Sequence, residues 1–141
     1  MPLIKLTLEY DGSGFRGWAR QPGERTVEGA LCHALATVYA GYEGLAVAGR
    51  TDTGVHATGQ VASASVSGGP PPQRAAEALN AALPADVAVL AAETVPDGFH
   101  ARFSARSRAY CYRVLRRRAR SPLLDRRALW WPRPPDIDSL R

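Results

Sequence analysis

The period of the hydrophobic pattern changes several times along this chain, and the order of those changes limits the folds open to it. From Leu3 to Tyr10, Ile4, Leu6, Leu8 and Tyr10 alternate with Leu3, Lys5, Thr7 and Glu9. A period of two is what a strand with one buried face produces. Asp11-Gly12-Ser13-Gly14 ends that strand, since these residues favour turns. Thr26 then caps a predicted helix in which Val27, Leu31, Leu35 and Val38 recur every three to four residues, with Glu28 in the first turn and Gly41 beyond the end. Residues 45–48 and 61–66 read as two further strands, the second alternating Ala62, Ala64 and Val66 with Ser63 and Ser65. Gly68-Gly69-Pro70-Pro71-Pro72 interrupts regular structure and leads into a second helical pattern, about residues 73–83, stopped by Pro84. Residues 87–92 form a continuous apolar run, which predicts a strand buried on both faces.

The order β-α-β-β-α-β predicts an α+β, ferredoxin-like unit, one sheet with two helices on one face. An additional strand is expected over residues 108–115, where Tyr110, Tyr112 and Val114 alternate with Cys111, Arg113 and Leu115. The proline run is short, so it reads as a connection within one domain covering residues 1–141. A chain of 141 residues with 45% hydrophobic and 22% charged side chains suits such a domain. Cys32 and Cys111 lack a CxxC spacing, so neither a zinc site nor a disulfide framework is indicated, and both read as small core or strand residues. No apolar run approaches the roughly twenty residues of a membrane span. The expectation is a soluble, cytosolic protein that needs no metal.

Chemistry concentrates between the second and third strands, in Gly49-Arg50-Thr51-Asp52-Thr53-Gly54-Val55-His56-Ala57-Thr58-Gly59-Gln60. Asp, Thr and Gly build turns through local hydrogen bonds, which is the plain structural reading. A hairpin, however, needs only a few loop residues, whereas this loop carries an acid, a guanidinium, an imidazole and the hydroxyls of Thr51 and Thr53 close together. That density makes Asp52 the candidate for chemistry. Charge is also unevenly distributed: residues 1–100 hold six basic and ten acidic side chains, a net −4, and residues 101–141 hold twelve and three, a net +9. Arg102, Arg106 and Arg108 open this basic tract. A planar guanidinium donates in a fork that fits phosphate oxygens, so nucleic acid is the natural partner. A solvated basic face, or an arginine habit in a chain whose single lysine is Lys5, is the alternative.

The order Gly-Arg-Thr-Asp-x-Gly-Val-His-Ala-x-Gly-Gln resembles the signature of TruA-type tRNA pseudouridine synthases. Further matches follow in the family's order: Leu8-Glu9-Tyr10-Asp11-Gly12 with Gly17-Trp18 and Gln21, then Leu79-Asn80-Ala81-Ala82-Leu83-Pro84, then Phe99-His100-Ala101-Arg102-Phe103-Ser104, then Tyr110-Cys111-Tyr112. Several collinear motifs are far more specific than one. The resemblance implies that Asp52 is the nucleophile and that uridines at positions 38, 39 and 40 of the tRNA anticodon stem-loop become pseudouridine without a cofactor. It implies that Arg50 occupies the space left by a flipped nucleotide or clamps the adjacent phosphate, with a structural ion pair as the competing role. It makes Tyr110, otherwise an ordinary strand aromatic, the residue that stacks on the target base. It implies RNA contact by Arg102 ahead of His100, and a homodimer for the full-length protein.

Family members resemble two α/β halves joined in one sheet, and these residues match the first. Asp136-Ile137-Asp138-Ser139-Leu140-Arg141 reads as a helix cap and first turn, so a truncated chain is expected, lacking the basic residue that pairs with the catalytic Asp in the family. A catalytically silent RNA-binding half is therefore the alternative reading. A glycosidic hydrolase would need two flanking acids. The rivals Glu9, Asp11 and Asp97 sit at strand ends or turns, where structural roles are expected, and His56 reads as a loop-stabilising residue.

Overall fold

The computed structural model describes residues 1–133, so the helix start read at residues 136–141 lies outside the described residues. The chain divides into two compact units, Met1–Arg108 and Ala109–Arg141.

The first unit follows the predicted order: β1 (Leu3–Tyr10), α1 (Val27–Val38), β2 (Gly41–Val47), β3 (Ala57–Ser67), α2 (Pro72–Ala82) and β4 (Val87–Thr94). The strands form one sheet in the order β2-β3-β1-β4, antiparallel throughout. This is the ferredoxin-like arrangement that the alternation of periods predicts. Ile4, Leu6, Leu8 and Tyr10 of β1 lie opposite Ala64, Ala62, Gln60 and Ala57 of β3. Ile4, Leu6 and Leu8 form one core with Ala62, Ala64 and Val66, with Val87 and Val89 of β4, and with Val27, Leu31, Leu35 and Leu79 of the helices. Both helices therefore cover one face of the sheet. Thr26 caps α1 through its side chain, which accepts the Gly29 amide at 3.1 Å.

Three irregularities shape the sheet. Gly44, at φ +67, lies in a bulge of β2 between its Glu43 and Ala46 pairings. Thr58 and Gly59 together oppose Glu9 alone, so β3 bulges as it leaves the loop. Leu90 is an extra residue between the Val89 and Ala91 pairings of β4 and is 52% exposed. That last bulge corrects the expectation for residues 87–92. The strand is buried on one face only, because the topology places it at the edge of a sheet whose helices lie on a single side. Asn80 supports it there, its side-chain amide bonding both the carbonyl and the N–H of Val89 at 3.0 and 2.7 Å.

The second unit also departs from expectation. Only Val114–Leu115 of residues 108–115 is strand (β5), paired in parallel with Leu129–Trp130 (β6). A strand persists only where another backbone shares its ladder bonds; the Arg113 carbonyl accepts the Leu129 N–H at 2.7 Å, but residues 108–112 have no partner strand among the described residues. Tyr110, Cys111 and Tyr112 are consequently exposed, which overturns the reading of Cys111 as a core or strand residue. Cys32, on α1, is half-buried. Among the described residues no helix is long and apolar enough to cross a membrane.

Candidate active site

The loop between β2 and β3 lies against the end of β1 and the turn that follows it. Gly12 approaches Val55 so closely that a Cβ on Gly12 would overlap the Val55 carbonyl. Gly17 has φ +83, and a Cβ there would lie 2.8 Å from the Thr51 carbonyl oxygen. Both positions need glycine, one for close approach and the other also for its left-handed backbone. The Trp18 N–H donates to the same Thr51 carbonyl at 2.9 Å, while the Trp18 ring is fully buried beneath. Within the loop, the Val55 N–H donates to the Asp52 carbonyl at 3.1 Å, and Gly54 has φ +82. A positive φ at the third position of such a turn is what glycine supplies.

His56 fastens the loop to the turn that follows β1. Its Nδ1 accepts the Gly12 N–H at 2.9 Å, with Asp11 Oδ1 3.2 Å away. Asp11 also accepts the Ser13 N–H at 3.0 Å and so caps the short turn over Gly12–Gly14. The structural role expected of His56, and of Asp11 among the rival acids, is visible in these bonds. A half-exposed ion pair supports the same corner: Arg25 binds Asp86 through two bonds of 2.8 Å and lies over the Phe15 ring at 4.1 Å. The Arg25 guanidinium, by hydrogen bonding, holds the Asp86 carboxyl below its ordinary value.

Against this bonded framework, Arg50 and Asp52 are exposed. Neither side chain makes a hydrogen bond or ion pair among the described residues, so the structural ion pair considered for Arg50 is not formed there. A carboxylate and a guanidinium held out from a fixed backbone are available to a ligand.

The segment carrying the other predicted arginines packs on the sheet face away from the helices. The Ala101 N–H donates to the buried Ser63 Oγ at 3.0 Å. His100 organises the turn: its Nδ1 accepts the N–H groups of Arg102 and Phe103 at 3.2 and 3.3 Å, and its ring stacks on Phe103. Arg102 lies over the Phe103 ring at 5.6 Å with its guanidinium in no ion pair among the described residues, and Arg106 is exposed. Arg108 donates from Nε to the Ala48 carbonyl at 2.8 Å and from a terminal nitrogen to the same oxygen. This guanidinium therefore tethers the chain beside the Asp52 loop, a role the sequence pattern did not signal. Tyr110 belongs to the second unit, where it is 76% exposed in irregular backbone.

Two residues with a part in the site were not singled out by their chemistry. Tyr10 and Gln60 are 3% and 8% exposed and contact the loop from below. Their bonds join residues 41 and 50 positions apart, which no local pattern reveals.

The chain belongs to the tRNA pseudouridine synthase family, whose sequence pattern matches residues 7–104. That stretch includes Arg50, Asp52 and Arg102. Among the curated relatives is the tRNA pseudouridine synthase A of Cereibacter sphaeroides, 49% identical, with all of this chain and 56% of the relative aligned. Proteins of the same name from Dinoroseobacter shibae and Bordetella petrii are 48% and 47% identical, with all of this chain aligned to 55% and 53% of theirs. The chain thus spans about half the length of the curated relatives it matches.

Proposed function

We propose that the protein, in its full-length form, isomerises uridine to pseudouridine at positions 38, 39 and 40 of the tRNA anticodon stem-loop, with Asp52 as the nucleophile. The observation that carries this reading is the Asp52 carboxylate, exposed and unpaired on a loop pinned by backbone bonds, in a chain of the tRNA pseudouridine synthase family. Isomerisation breaks the bond from ribose C1′ to uracil N1 and forms one from C1′ to C5. The proton leaves C5 and N1 regains one, so no net oxidation occurs and no cofactor is called for. A positioned carboxylate can attack and later depart.

A uracil within a stacked stem must first be flipped out, at a cost of a few kcal/mol. Arg50, unpaired and two residues from Asp52, suits the vacated space or the adjacent phosphate. Tyr110 offers an exposed ring for the base, a contact worth about 1–3 kcal/mol. Arg102 and Arg106 supply free guanidinium groups for phosphate, and Arg108 contributes through what remains of its fork. The family resemblance further suggests a cytosolic homodimer, with residues 1–141 as the first half of the catalytic domain.

Because the reaction expels the C5 hydrogen, tRNA transcripts labelled with tritium at uridine C5 test it. Full-length protein should release tritium in step with pseudouridine formation. Absence of release would overturn the proposal, and release of free uracil would indicate the hydrolase instead. For the 141-residue span alone, the lack of a cationic partner for Asp52 among the described residues favours RNA binding without turnover. Tritium release by that span would exclude this second reading.

A further inference from the structure

We propose that Tyr10, Thr51 and Gln60 form a positioning clasp that sets Arg50 and Asp52 for turnover, without touching the RNA. The inference rests on the reading that Arg50 and Asp52 act on tRNA. Gln60 Nε2 donates to the Gly49 carbonyl at 2.7 Å and to Tyr10 Oη at 3.2 Å. Tyr10 Oη in turn bonds Thr51 Oγ1 at 2.7 Å. The two ends of the clasp thus hold the residues immediately before and after Arg50, and the second of these immediately precedes Asp52.

The orientation of the Gln60 amide is fixed by chemistry. Its Oε1 accepts the Val61 N–H at 3.1 Å, whereas the Gly49 carbonyl can only accept, so a flipped amide would face two mismatches. The bulge at Thr58 and Gly59 keeps both Ala57 and Gln60 on the helix-covered face, opposite Tyr10 and Leu8 respectively. Tyr10 and Gln60 are both buried, and buried polar groups that are fully bonded confer a unique geometry. Placing two buried polar side chains, Tyr10 and Gln60, under a loop is costly for a simple hairpin, which a buried leucine would support as well. A reacting carboxylate is different, because a displacement of about 1 Å can cost roughly a hundredfold in rate.

Tyr10→Phe and Thr51→Val each delete one hydroxyl without changing shape greatly, and Thr51→Ser keeps it. In full-length protein, single-turnover pseudouridine formation at saturating protein should fall about tenfold in either deletion. The Kd for tRNA should stay within about twofold. The double variant should be no slower than the slower single one, because both remove the same bond, and Thr51→Ser should recover most of the rate lost in Thr51→Val. Melting curves establish that each variant is folded at the assay temperature. Unchanged rates, or losses that track only the unfolded fraction, would overturn the clasp, as would single losses that multiply in the double variant. An Asp52→Ala protein that still turns over defeats the functional reading. A silent Asp52→Ala protein beside unchanged Tyr10→Phe and Thr51→Val proteins defeats the clasp alone.

Discussion

The side chains of Arg50 and Asp52 face solvent from a loop whose neighbouring polar groups are largely bonded within the chain. A residue retained only for folding would be expected to share those bonds. Replacing Arg50 by Ala should therefore leave the melting temperature within a degree or two, since exposed unpaired side chains contribute within about 0.5 kcal/mol. Turnover should nevertheless fall by at least tenfold on the order expected for a lost positioning contact. Thermal melts and single-turnover assays on the same preparations check the pair of outcomes. Asp86 behaves oppositely. Its carboxyl is held low by the Arg25 hydrogen bond, so the bridge stabilises the fold fully above the ordinary aspartate value of 3.8. That contribution is lost as pH falls through the lower folded value. Asp86→Asn should flatten the acid limb of a denaturant-midpoint titration below about pH 4. The change should stay below about 1 kcal/mol, because both side chains are partly exposed. At this scale the sequence was informative where chemistry is crowded, as around Asp52. Tyr10, Trp18 and Gln60 stand within the motifs, but their roles depend on contacts across the fold.

Element boundaries show the same division. The β1 strand and the α1 helix have the limits their periodicities predict, because each pattern is long and each end carries a turn or a cap. The one-sided burial of residues 87–92 and the irregular backbone at residues 108–112 have a common reason: an apolar or alternating run specifies an extended chain but not its neighbours. Whether β4 lies in the middle or at the edge, and whether residues 108–112 find a partner strand, is decided by topology. Asn80 compensates at the β4 edge, where its amide bonds a residue that is 3% exposed. Asn80→Ala should leave two backbone groups of Val89 unsatisfied and cost about 1–3 kcal/mol in a chemical denaturation measurement. Gly17→Ala acts between elements. It should cost about 1–2 kcal/mol for its left-handed backbone, and it should also reduce turnover, because the new Cβ presses on the Thr51 carbonyl.

Across the whole molecule, an acidic first hundred residues carry the Asp52 loop, and an arginine-rich remainder supplies groups suited to phosphate. Affinity of the full-length protein for tRNA should fall linearly on a plot of log K against log salt, with a slope of about −0.7 to −0.9 per phosphate contacted. Arg102→Ala should reduce the magnitude of that slope by about one contact. An affinity that does not change with salt would remove the basic tract from the binding account. The central claim concerns Asp52, and its most direct test is carbodiimide mapping of pseudouridine in tRNA incubated with full-length wild-type and Asp52→Ala proteins. The account predicts modification at positions 38, 39 and 40 by the wild type and none above background by the variant. Modification of the same uridines by Asp52→Ala would contradict it.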